Sequence, residues 1–281
     1  MSIQDITIVI TSFKSDERLR NCLRSINRQC NVIIVENSKN QDIKEKIEKE
    51  FSNVKLILTG ENLGYGKANN LGLKYVKTKY ALILNPDTTL LDTSLENFIK
   101  AANELKEFAI MAPYVQERGI NEKKTNLKSL LPKSVESVKG FAMFLNLFEF
   151  KDIGFFDEVF FLYFEDIDLC RRVKQKNKKI YLIPSVEINH LGGKSSHESI
   201  SDERELTRNW HWMWSSFTYH KKYKGFIIAL SIVFPKLISS IFKMIVYFLL
   251  MNKKKRNVYY HRFSGLMNGI IGRNSWHRPK V

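Results

Sequence analysis

Four short apolar runs near the start of the chain constrain its fold more than any other feature. Ile6-Thr7-Ile8-Val9-Ile10 is β-branched and leads into Thr11-Ser12. Val32-Ile33-Ile34-Val35 ends at Glu36-Asn37-Ser38, Val54-Lys55-Leu56-Ile57-Leu58 follows, and Tyr80-Ala81-Leu82-Ile83-Leu84 ends at Asn85-Pro86-Asp87. Between them Leu19, Cys22, Leu23 and Ile26 recur at helical spacing, residues 43–51 form a charged helical surface, and a glycine-rich segment, 61–72, opens another helix. Strands alternating with helices predict an α/β fold with a mostly parallel central sheet, covered on both faces. Such sheets bind ligands beyond the carboxyl ends of their strands. Thr11, Ser12, Glu36, Asn37, Asn85 and Asp87 all stand at those ends, so one edge collects the polar groups.

A second feature lies at 160–172, where Phe160-Phe161-Leu162-Tyr163-Phe164 runs straight into Glu165-Asp166-Ile167-Asp168. The apolar run reads as a buried strand or wall. The acids open a helix, because Leu169 and Val173 share a face that Arg171, Arg172 and Lys174 avoid. First-turn carboxylates are favoured by the helix dipole, and Asp168 can pair with Arg172 one turn on. That accounts for one or two acids, not for Glu165 and Asp166 directly against an aromatic wall, where a charge loses hydration. A capped helix and a functional carboxylate both remain open on this stretch alone.

Other motifs are weaker singly. Asn85-Pro86-Asp87 suits a turn for backbone reasons, yet a carboxylate at the end of a buried strand can also hold a divalent ion against a phosphate. The 62–72 glycines match neither a P-loop nor the dinucleotide fingerprint. Residues 138–145 and 179–184 read as further strands and 113–136 as a polar, mobile excursion. Val186-Glu187-Ile188-Asn189 leads to His190, structural or ligating, and Gly192-Gly193-Lys194-Ser195-Ser196 is a loop whose amides and hydroxyls could meet phosphate. Cys22, Cys30 and Cys170 have neither disulfide nor zinc spacing and read as incidental thiols in a reducing compartment.

The net charge of +16 is concentrated. The 281-residue chain has no Asp or Glu after Glu205, while 14 Lys and Arg lie between Arg208 and Lys280. Residues 1–205 are nearly neutral and read as one domain; 206–281 read as a basic, helical appendage with an anionic partner. Its aliphatic runs suit lipid better than a nucleic-acid groove, so no nucleic-acid partner is expected. Residues 225–251 are long enough to span a membrane. However, Lys236, Ser239, Ser240 and Lys243 form one polar stripe after Pro235, which would occupy a first-turn position. Two mid-span lysines would each cost about 3 kcal/mol at a bilayer centre. Helices lying in the plane of the inner leaflet are therefore favoured over a single span at 225–251 or a soluble packing surface. Trp210, Trp212, Trp214 and Tyr219 before the stretch, and Lys253-Lys254-Lys255-Arg256 after it, suit a headgroup region. The N-terminus, Met1-Ser2-Ile3-Gln4-Asp5, lacks a signal pattern, which places the catalytic part on the cytoplasmic side of the inner membrane.

Taken in order, these pieces resemble glycosyltransferase family 2, of the GT-A fold, and within it the bacterial rhamnosyltransferase branch. The likeness rests on the first strand, Val35-Glu36-Asn37-Ser38, the stretch from Asn62-Leu63-Gly64 to Asn70-Leu71-Gly72, Leu84-Asn85-Pro86-Asp87, Gly140-Phe141-Ala142-Met143, Phe156-Asp157-Glu158 and the 161–171 segment. The ending Gly272-Arg273-Asn274-Ser275-Trp276-His277-Arg278-Pro279 is similar to that branch as well.

The resemblance implies an inverting transferase that moves a rhamnose-like sugar from a dTDP- or UDP-linked donor to a lipid-linked or glycan acceptor in cell-surface glycan synthesis. It implies that Thr11, Ser12 and Glu36 hold the base and ribose, with Glu36 standing where the family usually has Asp. Gly64, Lys67, Asn70 and Asn85 would line the donor pocket. Asp87 would be the last acid of the Asp-x-Asp metal motif, whose first acid is here Asn85. His190 would complete the shell of a divalent metal, Mg2+ or Mn2+. Asp166 would be the catalytic base, with Glu165 orienting the acceptor. A nucleotidyltransferase is the competing enzyme class, though it lacks the expected N-terminal nucleotide loop. A non-enzymatic membrane or nucleic-acid binder is the other alternative.

Overall fold

The first apolar run becomes the strand β1 (Ile6–Ser12), buried on both faces as a strand inside a covered sheet must be. Ile6, Ile8 and Ile10 join the main core, while Val9, equally without exposure, lies on the opposite pleat. In this computed structural model, which describes residues 1–114, 131–190 and 201–278, every expected N-terminal element is present. The order is β1, α1 (Asp16–Arg24), β2 (Asn31–Glu36), α2 (Gln41–Glu50), β3 (Val54–Leu58), α3 (Tyr65–Leu73) and β4 (Tyr80–Leu84). Helix α2 starts where Asn40 caps it, its side chain accepting from Ile43 N at 3.2 Å.

The chain continues through β5 (Thr88–Leu90), α4 (Ser94–Leu105), β6 (Ile110–Pro113), β7 (Lys133–Ser134), β8 (Ala142–Asn146), α5 (Glu165–Gln175), β9 (Ile180–Ile183) and β10 (Ile188–His190). The eight-stranded sheet has the order β3-β2-β1-β4-β8-β6-β9-β7. Its first four strands are parallel, and β8 then runs antiparallel to both β4 and β6. Ser12 lies in register with Glu36, so β1 and β2 end together. A separate ribbon pairs β10 with β5, setting His190 opposite Thr88.

Two expectations need correction. Phe160–Phe164 is a wall but not a strand: it is a series of bends, and Tyr163 and Phe164 have left-handed φ of 68° and 70°, which no strand accommodates. The run predicted from 138 enters the sheet only at Ala142. Most of the 113–136 excursion, and the 192–196 loop, lie outside the described residues.

The chain divides into two compact units. The first is Met1–Leu63, Lys67–Phe156 and Leu169–His197, and holds the sheet. The second is Gly64–Gly66, Asp157–Asp168 and Glu198–Val281. It is built on three long helices, α6 (Ser201–Lys224), α7 (Phe226–Leu249) and α8 (Lys253–Ile270), around a core of Met213, Phe217, Ala229, Val233 and Leu266. Gly265 lets α8 approach α6: a Cβ there would sit 2.3 Å from the Trp210 carbonyl oxygen.

Helix α7 turns part of its polar stripe toward the bundle. Ser240 is buried and the Lys236 ammonium donates to Ser216 Oγ at 3.3 Å, so this part of the polar stripe faces α6. Ile227, Ile228, Phe234, Ile238, Phe242, Ile245 and Phe248 are exposed. Pro235 is interior to the helix rather than in its first turn; its ring is on the exposed side, and Val233, Leu237 and Ser240 hold both flanks against the bundle. The tryptophans also differ from expectation. Trp210 and Trp214 are buried, and their indole N–H groups donate to Ser264 Oγ and the Arg273 carbonyl; of the three, only Trp212 is exposed.

Candidate active-site residues

In the first unit the strand ends bring together the predicted polar groups. Glu36, almost fully buried, accepts from Lys14 N at 3.4 Å through Oε1, while its Oε2 has no hydrogen-bond partner among the described residues. Burial pushes its carboxyl above the usual range, opposed by the Ser12 and Ser38 hydroxyls. Thr11 Oγ1 is likewise buried and unpartnered. Ser12 bonds Ser15 Oγ at 2.8 Å. Such orphaned atoms at one sheet edge are what a polar ligand would satisfy.

Asn85-Pro86-Asp87-Thr88 is a tight turn, closed by Thr88 N donating to the Asn85 carbonyl at 3.2 Å and by Thr88 Oγ1 at 2.6 Å. It aims a carboxylate inward. The Asp87 side chain is 1% exposed, and neither of its oxygens has a hydrogen-bond partner among the described residues. Asn85 Oδ1 is in the same condition. The β5–β10 ribbon carries His190 Nε2 to 3.6 Å from Asp87 Oδ1, and Phe141 stacks on the imidazole at 4.4 Å, fixing its plane. Unsatisfied buried oxygens beside an oriented imidazole fit a divalent cation. Among the described residues no group of three or more His, Cys, Asp or Glu is placed to hold a metal ion, so Asp87 and His190 would supply only part of a coordination shell.

Lys67 is exposed in the first turn of α3. The Asn70 amide is committed at both ends to the main chain of Phe156, accepting from its N at 3.0 Å and donating to its O at 2.9 Å. Cys22, Cys30 and Cys170 are buried and not disulfide-bonded, and burial pushes the Cys22 thiol up to about 12.

In the second unit Gly64, with φ +83°, has room for no side chain: a Cβ would lie 2.3 Å from the Phe161 carbonyl oxygen. Tyr65 N donates to that same oxygen at 2.9 Å. The bent wall is clasped further by Ser215 Oγ on the Leu162 carbonyl at 2.9 Å and by Asp168 N on Phe164 O at 2.8 Å. Consecutive left-handed residues cost of order 1–3 kcal/mol each, and persist only where contacts of this kind over-determine them.

The three acids at the start of α5 have different fates. Asp168 is fully buried and accepts from Lys222 at 2.5 Å and Tyr223 at 2.7 Å. Arg172, its expected partner, donates to the carbonyls of Ile153 and Gly154. Glu165 is buried with Oε2 unpartnered among the described residues, and desolvation followed by the neighbouring Asp166 charge holds its carboxyl well above the carboxylate range. Asp166 remains partly exposed.

Sequence reasoning missed what α6 does for this segment. Arg208, His211, Ser215, Tyr219 and Lys222 recur at three- and four-residue spacing and meet Tyr163, Phe161, Leu162, Phe164 and Asp168 respectively. That stripe is present in the sequence, but its aromatic content points to lipid headgroups.

The sequence profile of "Glycosyl transferase family 2" matches residues 7–171. The chain belongs to glycosyl transferase family 2. Among the relatives of this family 2 enzyme is the Escherichia coli rhamnosyltransferase WbbL, 24% identical over 76% of this chain and 92% of its own length. The low-salt glycan biosynthesis hexosyltransferase Agl10 of Haloferax volcanii is 25% identical over 67% of each chain. The Mycobacterium tuberculosis N-acetylglucosaminyl-diphospho-decaprenol L-rhamnosyltransferase is 20% identical over 66% of this chain and 75% of its own. The fold is GT-A. The mannosyltransferase PcManGT of Pyrobaculum calidifontis, solved with GDP-Man and Mn2+, matches with a TM-score of 0.59 at 10% identity, covering 94% of this chain and 86% of its own. S. aureus TarS 1-349 with UDP-GlcNAc gives 0.54 at 12% identity, covering 96% and 93%. The family 2 enzyme transfers a sugar in glycan synthesis, and the competing nucleotidyltransferase and non-enzymatic readings are set aside.

Proposed function

We propose that this family 2 enzyme moves a rhamnose-like sugar, with inversion, from a dTDP- or UDP-linked donor to a hydroxyl of a lipid-linked acceptor at the cytoplasmic face of a membrane. The observation that carries the mechanism is the division of labour among three acids. Asp168 is occupied by Lys222 and Tyr223, Glu165 is sealed with its carboxyl raised by burial, and Asp166 keeps its exposure. The acceptor hydroxyl donates to the Asp166 carboxylate and loses its proton as its oxygen bonds to the anomeric carbon. The bond from that carbon to the diphosphate breaks in the same displacement, which reverses the anomeric configuration. Glu165 beside it, buried and with its carboxyl raised by that burial, can orient the acceptor.

Thr11, Ser12 and Glu36 hold base and ribose through the unsatisfied atoms at the sheet edge. Lys67 offers a cation to the diphosphate, and Asn85 an acceptor to the donor sugar. Gly64 and Asn70 are read as donor-binding; each fixes the main chain of its own unit, Gly64 by close packing on Phe161 and Asn70 by bonding Phe156. A divalent cation, Mg2+ or Mn2+, held by Asp87 and His190 would neutralise charge on the departing diphosphate.

Membrane attachment runs through α7, which by length and composition alone could cross a bilayer. Its packing favours the in-plane arrangement. One face lies on α6 and α8, both carrying many charges, and the opposite face is a broad apolar surface. The test of the functional reading is calorimetry of the purified protein against a panel of nucleotide sugars, with and without a divalent ion. Ion-dependent binding of a deoxyhexose nucleotide is expected; binding of none of them would overturn the reading.

A further inference from the structure

Helix α6 and the bent wall border an open cavity of about 520 Å3 lined by Tyr163, Arg204, Glu205, Arg208, Asn209 and Trp212. None of these residues belongs to the donor edge or to the proposed proton transfer. Arg204, Arg208 and Trp212 follow one another at four-residue intervals, so they share one face of the helix. The Arg208 Nε donates to the Tyr163 hydroxyl at 2.5 Å, and the Tyr163 ring meets the edge of Trp212 at 5.2 Å. Tyr163 is one of the two consecutive left-handed residues, so the strained bend delivers this ring to the cavity. It lies two residues before Glu165 and three before Asp166.

The chemistry of the lining is specific. Two guanidinium groups one helical turn apart line the cavity, and Arg208 keeps its terminal nitrogens beyond the Nε–Tyr163 bond; paired guanidiniums are the donors that recognise phosphoryl groups. The exposed Trp212 face and the Asn209 amide suit a sugar ring and its hydroxyls. Glu205 offsets only one of the two guanidinium charges in the lining, and nearby Lys254 pairs with Asp202 at 2.6 Å. That ion pair ties the start of α8 to the start of α6. Leu249, Leu250 and Met251, all strongly exposed, immediately precede α8. An apolar surface therefore stands at the same end of the helical bundle as the cationic cavity.

We propose that this cavity binds the diphosphate and first sugar of a polyprenyl-diphosphate-linked acceptor, with the lipid tail running toward the exposed end of α7. The proposal rests on the reading of the chain as a transferase with a lipid-linked acceptor, and names the groups that would recognise that acceptor. The cavity places the acceptor's anionic group three residues along the chain from the carboxylate that would take its proton.

The probe is farnesyl diphosphate, titrated into the full-length protein in neutral detergent with a chelator present, so that cation-dependent donor binding does not contribute. Wild type is expected to bind farnesyl diphosphate at least tenfold more tightly than farnesyl monophosphate or farnesol. Arg208→Gln and Arg204→Gln should each weaken it about tenfold or more, and Asp87→Ala should leave it unchanged. UDP and dTDP should not compete. Equal affinity for farnesol, or unchanged affinity in the double Arg204→Gln/Arg208→Gln variant, would overturn the proposal; competition by UDP would assign the diphosphate to the donor site instead and overturn it too. Failure of the sugar-transfer reading would appear separately, as an absence of glycosylated product with diphosphate binding intact.

Discussion

Lys222 reaches Asp168 across 2.5 Å, and the Asp168 side chain has no exposure at all. This contact explains why three carboxylates can crowd one helical turn. The most buried charge is paired by an ammonium and a phenol from α6, leaving the other two acids to differ in access, Glu165 buried and Asp166 partly exposed.

Removing that partner tests the pairing. Lys222→Ala leaves a buried carboxylate with Tyr223 as a remaining donor. Breaking a buried pair from one side costs about 3–5 kcal/mol. Lys222 is 32% exposed and Tyr223 still donates, so a loss toward the lower end is expected in urea denaturation. Tyr223→Phe should cost less, on the order of 1–3 kcal/mol for one bond to a charged group. A Lys222→Ala protein as stable as wild type would show that Asp168 is not held this way.

Glu165 makes stability depend on pH. Its folded carboxyl is raised, chiefly by burial, so the folded state keeps a proton that the unfolded chain releases above about pH 4.5. Stability from this group is therefore full below that value. It falls as pH rises toward the folded pKa, with a slope of about 1.4 kcal/mol for each pH unit in that window. Glu165→Gln keeps the shape without the titration. Its melting temperature should match wild type near pH 4 and exceed it at pH 8. A constant difference across that range would contradict the raised carboxyl.

Much of this was legible in the sequence, and the exceptions have physical causes. β1 to β4 and the helices between them are readable because local periodicity, turn residues and burial agree there. The strand-end positions of Thr11, Ser12, Glu36 and Asp87 follow from that alternation alone. The approach of His190 to Asp87 does not, because it depends on β10 pairing with β5 across about a hundred residues of chain. The Phe160–Phe164 run reads as extended because its composition is that of a strand. Its bends are imposed by Gly64, Tyr65 and Ser215, none of which is a local neighbour. The polar stripe on α7 exists, and its Lys236 and Ser240 turn toward the bundle. Hydrophobic periodicity gives the two faces of a helix, and only packing decides which one meets protein.

The Asp87–His190 pair should govern ion-dependent donor affinity. Asp87→Ala removes no side-chain hydrogen bond to a described residue, so the fold should survive. Donor binding with Mn2+ or Mg2+ is expected to fall at least tenfold, and to the level measured with chelator; His190→Ala should give a smaller loss. Calorimetry showing full ion-dependent affinity in Asp87→Ala would remove the carboxylate from this role.

The outward face of α7 should determine membrane attachment. Phe234→Glu with Phe242→Glu alters two exposed positions without touching the Ala229, Val233 and Leu266 core. The variant should move from the membrane fraction to the soluble fraction at low salt, while the wild type should be released by alkaline carbonate, as an in-plane helix is and a spanning one is not. Retention of the double variant on membranes would contradict attachment through this face.

The assignment of Asp166 is tested most directly by Asp166→Asn, which preserves size and hydrogen-bonding shape but removes the base. Single-turnover transfer should slow by roughly 10²–10⁴-fold, the usual contribution of a general base, with donor affinity changed by no more than a few-fold. Residual product should carry the anomeric configuration opposite to the donor's, read from its proton couplings. Near-normal turnover in Asp166→Asn, or a product of retained configuration, would contradict the mechanism.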